Sequence, residues 1–246
     1  MRQTRIIMGM PITIDVADRC APALIAQCFA WFEAVDARFS TYKPESEISL
    51  FNAGQVAEAD LSADMKDVFA IARTTSVETN GFFDMARPGG GVDPSGVVKG
   101  WAIKKAADML VADGAQNFFV DAGGDIQSCG KNAEGEDWRV GIRSPFKLSE
   151  VIKIVAPRGQ GVATSGTYVR GAHVYNPHAP QERLDDVVSI TVIGPDVLEA
   201  DRFATAALAM GKAGIYFIEG LEGFEGYAVN ARGMATQTSH FGGFVV

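Results

Sequence analysis

The spacing of apolar residues changes several times along the chain, and each change marks an element. Residues 3–16 alternate apolar and polar and predict a strand, interrupted at Gly9-Met10-Pro11. Pro22 suits a first helical turn, and Leu24, Cys28, Phe32 and Val35 follow at helical spacing through Arg38. Ser40 to Pro44 reads as a loop. Ser46, ahead of Glu47, Ile48, Leu50 and Phe51, predicts a short capped helix. A longer helix is expected from about Ser62 to Thr79, stopped by Asn80-Gly81. Residues 81–96 are rich in turn sequence, including Pro88-Gly89-Gly90-Gly91 and Asp93-Pro94-Ser95-Gly96. The next helix is expected to start near Val98-Lys99, turn Val98, Ala102, Ala106, Met109 and Leu110 inward, and end at Asp113-Gly114.

The second half is mostly strand. Phe118-Phe119-Val120 predicts a short buried strand, and further strands are expected near 138–143, 151–156, 161–164, 172–175 and 187–193. Helices over 197–210 and about 212–220 follow, then strands near 226–230 and 233–237. No repeat, low-complexity tract or linker divides the sequence, so residues 1–246 read as a single domain, with room for two subdomains around a central cleft. Strands and helices do not alternate strictly. The expected class is α+β, with largely antiparallel sheets and packed helices, not a doubly wound parallel sheet.

Composition adds constraints. Hydrophobic residues make up 47% and charged residues 21%, as in ordinary globular proteins. The formal net charge is −8 and no Lys/Arg run builds a basic face, which argues against nucleic acid as a partner. An acidic chain that takes an anionic ligand needs a metal ion, helix N-termini or a few placed cations. The three cysteines, Cys20, Cys28 and Cys129, fit no zinc spacing. With no apolar run of signal-peptide or membrane-span length, a cytoplasmic location with reduced cysteines is the expectation.

Four segments carry possible chemistry. Asp201 and Thr205 stand four apart in a small and apolar helical stretch, so they share a face. Two oxygen donors there suit a hard cation such as Mg²⁺, though helix capping or an Asp201–Arg202 surface pair explains the same spacing. Asp93-Pro94-Ser95-Gly96-Val97-Val98-Lys99 is a turn opening onto a helix with a Lys in its first turn, a possible phosphate holder or a plain junction. Ala163-Thr164-Ser165-Gly166 reads as a small-residue turn before His173, a residue type suited to proton transfer near neutral pH and also a common structural one. Asp121-Ala122-Gly123-Gly124-Asp125 allows close backbone approach to a ligand, or simply a tight turn.

Taken in order, these segments resemble the ApbE family of FAD:protein FMN transferases, from Met8 to about Gly211. Further matching pieces are Phe39-Ser40-Thr41-Tyr42 with Asn52, Gly81-Phe82-Phe83-Asp84, Trp138 through Pro145, and His173-Val174-Tyr175-Asn176-Pro177. The resemblance implies a fold like that of T-fold proteins, Mg²⁺ as cofactor and FAD as substrate. It implies that Asp201, Thr205 and the Gly96 carbonyl bind the metal, and that Met8, Tyr42, Asp93 and Lys99 contact FAD. His173 falls on the family's candidate base, and the partner would be an acceptor flavoprotein with a Thr or Ser target.

Two departures stand out. Only eight residues separate Asp84 from Asp93, where many relatives carry a long insertion, and Asn176-Pro177-His178-Ala179-Pro180 replaces the usual Asp-Pro-x-Thr-Gly. Two other activities fit the same residues: Mg²⁺-dependent FAD pyrophosphatase, with water as acceptor, and flavin binding without turnover.

Overall fold

The computed structural model describes residues 1–19, 21–87, 89–147, 149–167, 174–181, 184 and 186–246. The single strand expected over 3–16 is a hairpin of β1 (Arg2–Ile7) and β2 (Met10–Val16). Its turn is made by Met8 and Gly9, both at positive φ (56° and 71°), so the interruption reverses the chain instead of bulging it. In β2 the alternation buries Ile12, Ile14 and Val16 completely.

The first helices follow their sequence signals. α1 (Pro22–Phe39) buries Leu24, Ile25, Cys28, Phe29, Phe32, Val35 and Phe39, one stripe at helical spacing. α2 (Glu47–Asn52) is capped by Ser46, whose Oγ accepts the Ser49 N–H at 3.2 Å. α3 (Ala63–Glu78) is capped in the same way by Ser62, and Asn80 and Gly81 leave it at positive φ. α4 (Ser95–Ala112) starts nearly a turn earlier than the pattern predicts. Asp93 Oδ1 accepts the Ser95 N–H at 3.0 Å, and the Pro94 carbonyl accepts from Val97 and Val98. Lys99 therefore sits in the second turn, not the first.

β3 (Phe118–Ala122) and β4 (Asp125–Cys129) form a second hairpin. β4 was not expected, because its buried positions include the polar Asp125, Gln127 and Ser128. Next come β5 (Val140–Arg143), β6 (Val151–Val155), β7 (Gly161–Gly166) and β8 (Val187–Gly194). β7 thus runs past the expected 161–164, so Ser165 and Gly166, read as part of a turn, are strand. Of the strand expected over 172–175, residues 172 and 173 lie outside the described residues, and Val174 and Tyr175 are not in a strand. α5 (Val197–Ala209), α6 (Gly214–Glu219), β9 (Glu225–Asn230) and β10 (Ala235–Gln237) complete the fold.

Among the described residues, eight strands form one antiparallel sheet in the order β1-β2-β3-β4-β7-β8-β9-β10, with β5 and β6 paired separately. The expected α+β class with antiparallel sheets and packed helices is what forms. α1, α3 and α4 pack with β2 and β3 around Trp101, whose ring meets Trp31 and Phe39 at 5.1 and 5.5 Å. α5 and α6 cover β7, β8 and β9 through Ala163, Ile190, Val192 and Ala228. The opposite face of those strands, with Val162, Ile193 and Val229, packs on β5 and β6. No helix among the described residues is long and apolar enough to cross a membrane.

This topology gathers the motifs. The strand registers bring the Met8-Gly9 turn, the Gly123-Gly124 turn and the last residues of β7 to the same end of the sheet. Two helices, α4 and α5, cross closely beside that end.

Candidate active site

The helix crossing depends on two glycines. Gly96 and Gly100 are one turn apart on α4, and both face α5. A Cβ on Gly96 would stand 3.0 Å from Thr205 Cγ2 and 2.9 Å from the Phe83 ring. One on Gly100 would stand 2.7 Å from Asp201 Cβ and 2.8 Å from the Val197 carbonyl oxygen. The glycines let Asp201 and Thr205, themselves one turn apart on α5, lie flush on α4. α5 is seated by its first residue: Gln127 Oε1 on β4 accepts the Val197 N–H at 2.9 Å.

Asp201 is 2% exposed and does not pair with Arg202. Arg202 turns the other way, to Glu78 and Glu199, and the helix cap is Asp196. Both simpler explanations of the Asp201–Thr205 spacing therefore fail. Asp201 Oδ2 accepts the backbone N–H of Gly100 at 2.7 Å. In a regular helix that amide serves the Gly96 carbonyl, so the carboxylate draws on the same donor. Thr205 Oγ1 lies 3.3 Å from Ser165 Oγ on β7.

Beside Asp201 stands a second buried carboxylate, in a segment the sequence marks but to which it assigns no carboxylate role. Asp125, the first residue of β4, is 1% exposed. Its Oδ1 accepts the Thr164 N–H at 3.0 Å, and its Oδ2 is 2.5 Å from Lys99 Nζ. The same ammonium is 3.9 Å from Asp201 Oδ1. One lysine thus serves two buried carboxylates. Burial pushes the Asp201 carboxyl up to about 7, against the pull of Lys99 and with a further push from Asp125. The signal that marked Asp125 was a carboxylate opening a strand after Gly123-Gly124, too common a pattern to read alone.

The remaining sequence candidates take different places. Asp93 is held by its neighbours: its N–H donates to the Met85 carbonyl at 2.7 Å, and Asn52 makes two hydrogen bonds with the backbone of Val92. Asn52 thereby ties the loop ahead of α4 to α2. Met8 is half-buried at the β1–β2 turn and packs on the core edge. Tyr42 is 94% exposed and carries its ring outside the packed cluster. His173 lies outside the described residues. The segment after it is anchored, with the Tyr175 hydroxyl donating to the Ala86 carbonyl at 2.6 Å and His178 Nε2 lying 2.9 Å from the Asn80 carbonyl. The structure therefore brings together Gly96, Lys99, Asp201 and Thr205.

Asp201 and Thr205 bring a carboxylate and a hydroxyl to the helix crossing at Gly96 and Gly100, donor types that a hard cation prefers. A surface hollow of about 410 Å³ is lined by Trp31, Lys105, Asp108 and Met109 and includes none of these residues.

The ApbE family model matches residues 8–87 and 85–228. The FAD:protein FMN transferase of Vibrio cholerae is 35% identical over 130 residues, covering 49% of this chain and 39% of that protein. That of Escherichia coli K12 is 33% identical over 156 residues, 60% and 44% of the two chains. The match thus spans less than half the length of these relatives. The FAD:protein FMN transferase of Haemophilus influenzae is 27% identical over 241 residues, 72% of this chain and 70% of that protein. Among solved structures, flavin transferase ApbE from Vibrio cholerae superposes with a TM-score of 0.84 at 24% identity, covering 99% of this chain and 98% of that one. The ApbE protein of Thermotoga maritima gives 0.86 at 19% identity, with the same coverage. These two likenesses show the fold.

Proposed function

The chain belongs to the ApbE family, and from that premise we propose that it transfers FMN from FAD to a Thr or Ser hydroxyl of an acceptor protein, with release of AMP. The observation that carries the reading is the crossing of α4 and α5. It brings Asp201, Thr205 and Gly96 together beside the half-buried Lys99. Residues 1–246 act in this reading as a single transferase domain around one cleft.

The cluster fits Mg²⁺ on its donor chemistry and on the close seat that the two glycines leave. Asp201, Thr205 and the Gly96 carbonyl would hold Mg²⁺, which when bound neutralises charge on the FAD diphosphate and polarises phosphorus. Met8, Tyr42 and Asp93 are assigned to FAD, with the exposed Tyr42 ring free to stack on a flat ring system. Lys99 supplies fixed positive charge where negative charge develops on phosphate oxygens. His173 takes the proton of the acceptor hydroxyl. The hydroxyl oxygen then bonds to the FMN phosphorus, the bond to the AMP phosphate breaks, and AMP leaves with the electron pair.

Incubation with FAD, Mg²⁺ and an acceptor flavoprotein tests this directly. The expected result is AMP release matched by the mass of FMN on an acceptor Thr or Ser peptide. AMP and free FMN without that mass shift would make the chain a pyrophosphatase. FAD binding with no AMP at all would make it a carrier. Either result overturns the transferase assignment.

A further inference from the structure

Two carboxylates and one ammonium share the buried space between α4, β4 and α5, and their arrangement is unequal. Lys99 Nζ is 2.5 Å from Asp125 and 3.9 Å from Asp201. Asp125 is also held from the other side, by the Thr164 N–H of β7. Asp201 is fixed by the Gly100 N–H through Oδ2, which leaves Oδ1 as the oxygen turned toward Lys99. Lys99 is only 20% exposed, so its charge is weakly screened where it stands.

A buried carboxylate pair without a counter-charge is strongly unfavourable, and leaving one charge unpaired is the expensive case. We infer that Lys99 is the resident counter-charge of the cation site and that Asp125 is the positioning residue that holds it off Asp201, so that a divalent cation and the lysine occupy the site side by side. This rests on the reading of Asp201 and Thr205 as cation ligands. Without Asp125 the ammonium would be drawn onto Asp201 and would compete with the cation for it. Without Lys99 two carboxylates would face the cation unopposed.

The two residues therefore have opposite effects on the same equilibrium, which a purely structural pair would not produce. Across a few ångströms in a partly buried site, a unit charge alters cation affinity by about tenfold or more. In the substrate-free protein, Asp125→Asn should weaken Mn²⁺ or Mg²⁺ binding by about tenfold or more, and Lys99→Met should tighten it by a similar factor. The double variant restores the net charge of the cluster and should return the affinity toward wild type.

The experiment is titration of substrate-free protein with Mn²⁺, read by electron paramagnetic resonance, and with Mg²⁺, read by calorimetry, alongside a thermal melt of each variant. Asp125→Asn keeps an acceptor for the Thr164 N–H and leaves Lys99 paired with Asp201, so it is the variant expected to stay folded if Lys99→Met does not. A folded Asp125→Asn protein with unchanged cation affinity overturns the inference. So does weakening by both single variants. Asp201→Asn separates this from the underlying reading: if it leaves cation binding intact, the ligand assignment itself fails, whatever Asp125 does.

Discussion

Gly100 lies directly against Asp201: its N–H donates to Asp201 Oδ2 at 2.7 Å, and a Cβ on it would stand 2.7 Å from Asp201 Cβ. Gly100 is buried in the sixth position of an eighteen-residue helix, where glycine is otherwise unfavourable. Gly100→Ala should gain about 1 kcal/mol in helix propensity. It should lose more, because the new methyl also meets the Val197 carbonyl oxygen at 2.8 Å and Leu198 Cα at 2.9 Å, backbone that cannot rotate away. Overpacking of this kind costs about 1–3 kcal/mol. Urea unfolding in the absence of metal should therefore show a net loss. Equal or greater stability would mean the crossing is looser than described.

Thr205 permits a cleaner test of the hydroxyl. Thr205→Val keeps the shape packed near Gly96 and Phe83 but removes the oxygen, and Thr205→Ser does the reverse. Among the described residues the hydroxyl makes one long contact, 3.3 Å to Ser165 Oγ, so its loss should change stability by no more than about 1 kcal/mol. The expected outcome is a folded Val variant whose metal-dependent AMP release falls at least about tenfold, with the Ser variant retaining most of it. Equal turnover in both would remove Thr205 from the site.

The parts of this arrangement differ in how far they could be read from the chain. α1 and α3 are legible because each carries one apolar stripe and ends on a standard signal: Ser62 opens α3, and Asn80-Gly81 closes it. The Asp201–Thr205 face is legible because a carboxylate and a hydroxyl interrupt an apolar helix at helical spacing. β4 is not legible. Its inward polar groups hold backbone in distant segments, with Gln127 bonded to Val197 and Gly159, and Asp125 bonded to Thr164. Polar groups buried for such partners look like surface in a hydrophobic pattern. Asp125 stands in a segment the sequence marks, but its pairing is not legible there, since it depends on Lys99, which is brought to it by the sheet and α4 together.

Asp121, at the end of β3, gives the site region a pH signature away from the proposed ligands. Burial holds its carboxyl above the usual carboxylate range, partly offset by the Gly124 N–H it accepts at 2.8 Å and raised further by Asp125. The folded state therefore binds the proton more tightly than the unfolded chain does. Its contribution to stability is fully present below the unfolded carboxyl value and is lost as pH rises through the raised folded value. Asp121→Asn, which keeps an acceptor for Gly124, should stabilise the protein at neutral pH, and the gain should shrink toward acid. Melting temperatures across that range check the sign. A gain that grows toward acid would contradict the assigned shift.

The final expectation concerns His173, which is assigned the proton of the acceptor hydroxyl. Such a hydroxyl is a weak nucleophile until a base removes its proton. General-base help is typically worth about 10²–10⁴ in rate, so His173→Ala should slow single-turnover FMN transfer by roughly that range with FAD affinity changed far less. The neighbouring His178 supplies the control. Its ring lies 2.9 Å from the Asn80 carbonyl and edge-on to Phe82 at 4.6 Å, contacts that tie the segment to residues 80–82. His178→Ala removes one exposed hydrogen bond and a ring contact, so it should lower stability by about 1 kcal/mol and slow transfer much less than His173→Ala does. FAD affinity, melting temperature and single-turnover transfer measured on the same preparations separate the two roles. If His173→Ala folds, binds FAD and transfers FMN at the wild-type rate, or if it loses stability and binding together while its folded fraction transfers normally, His173 is not the base.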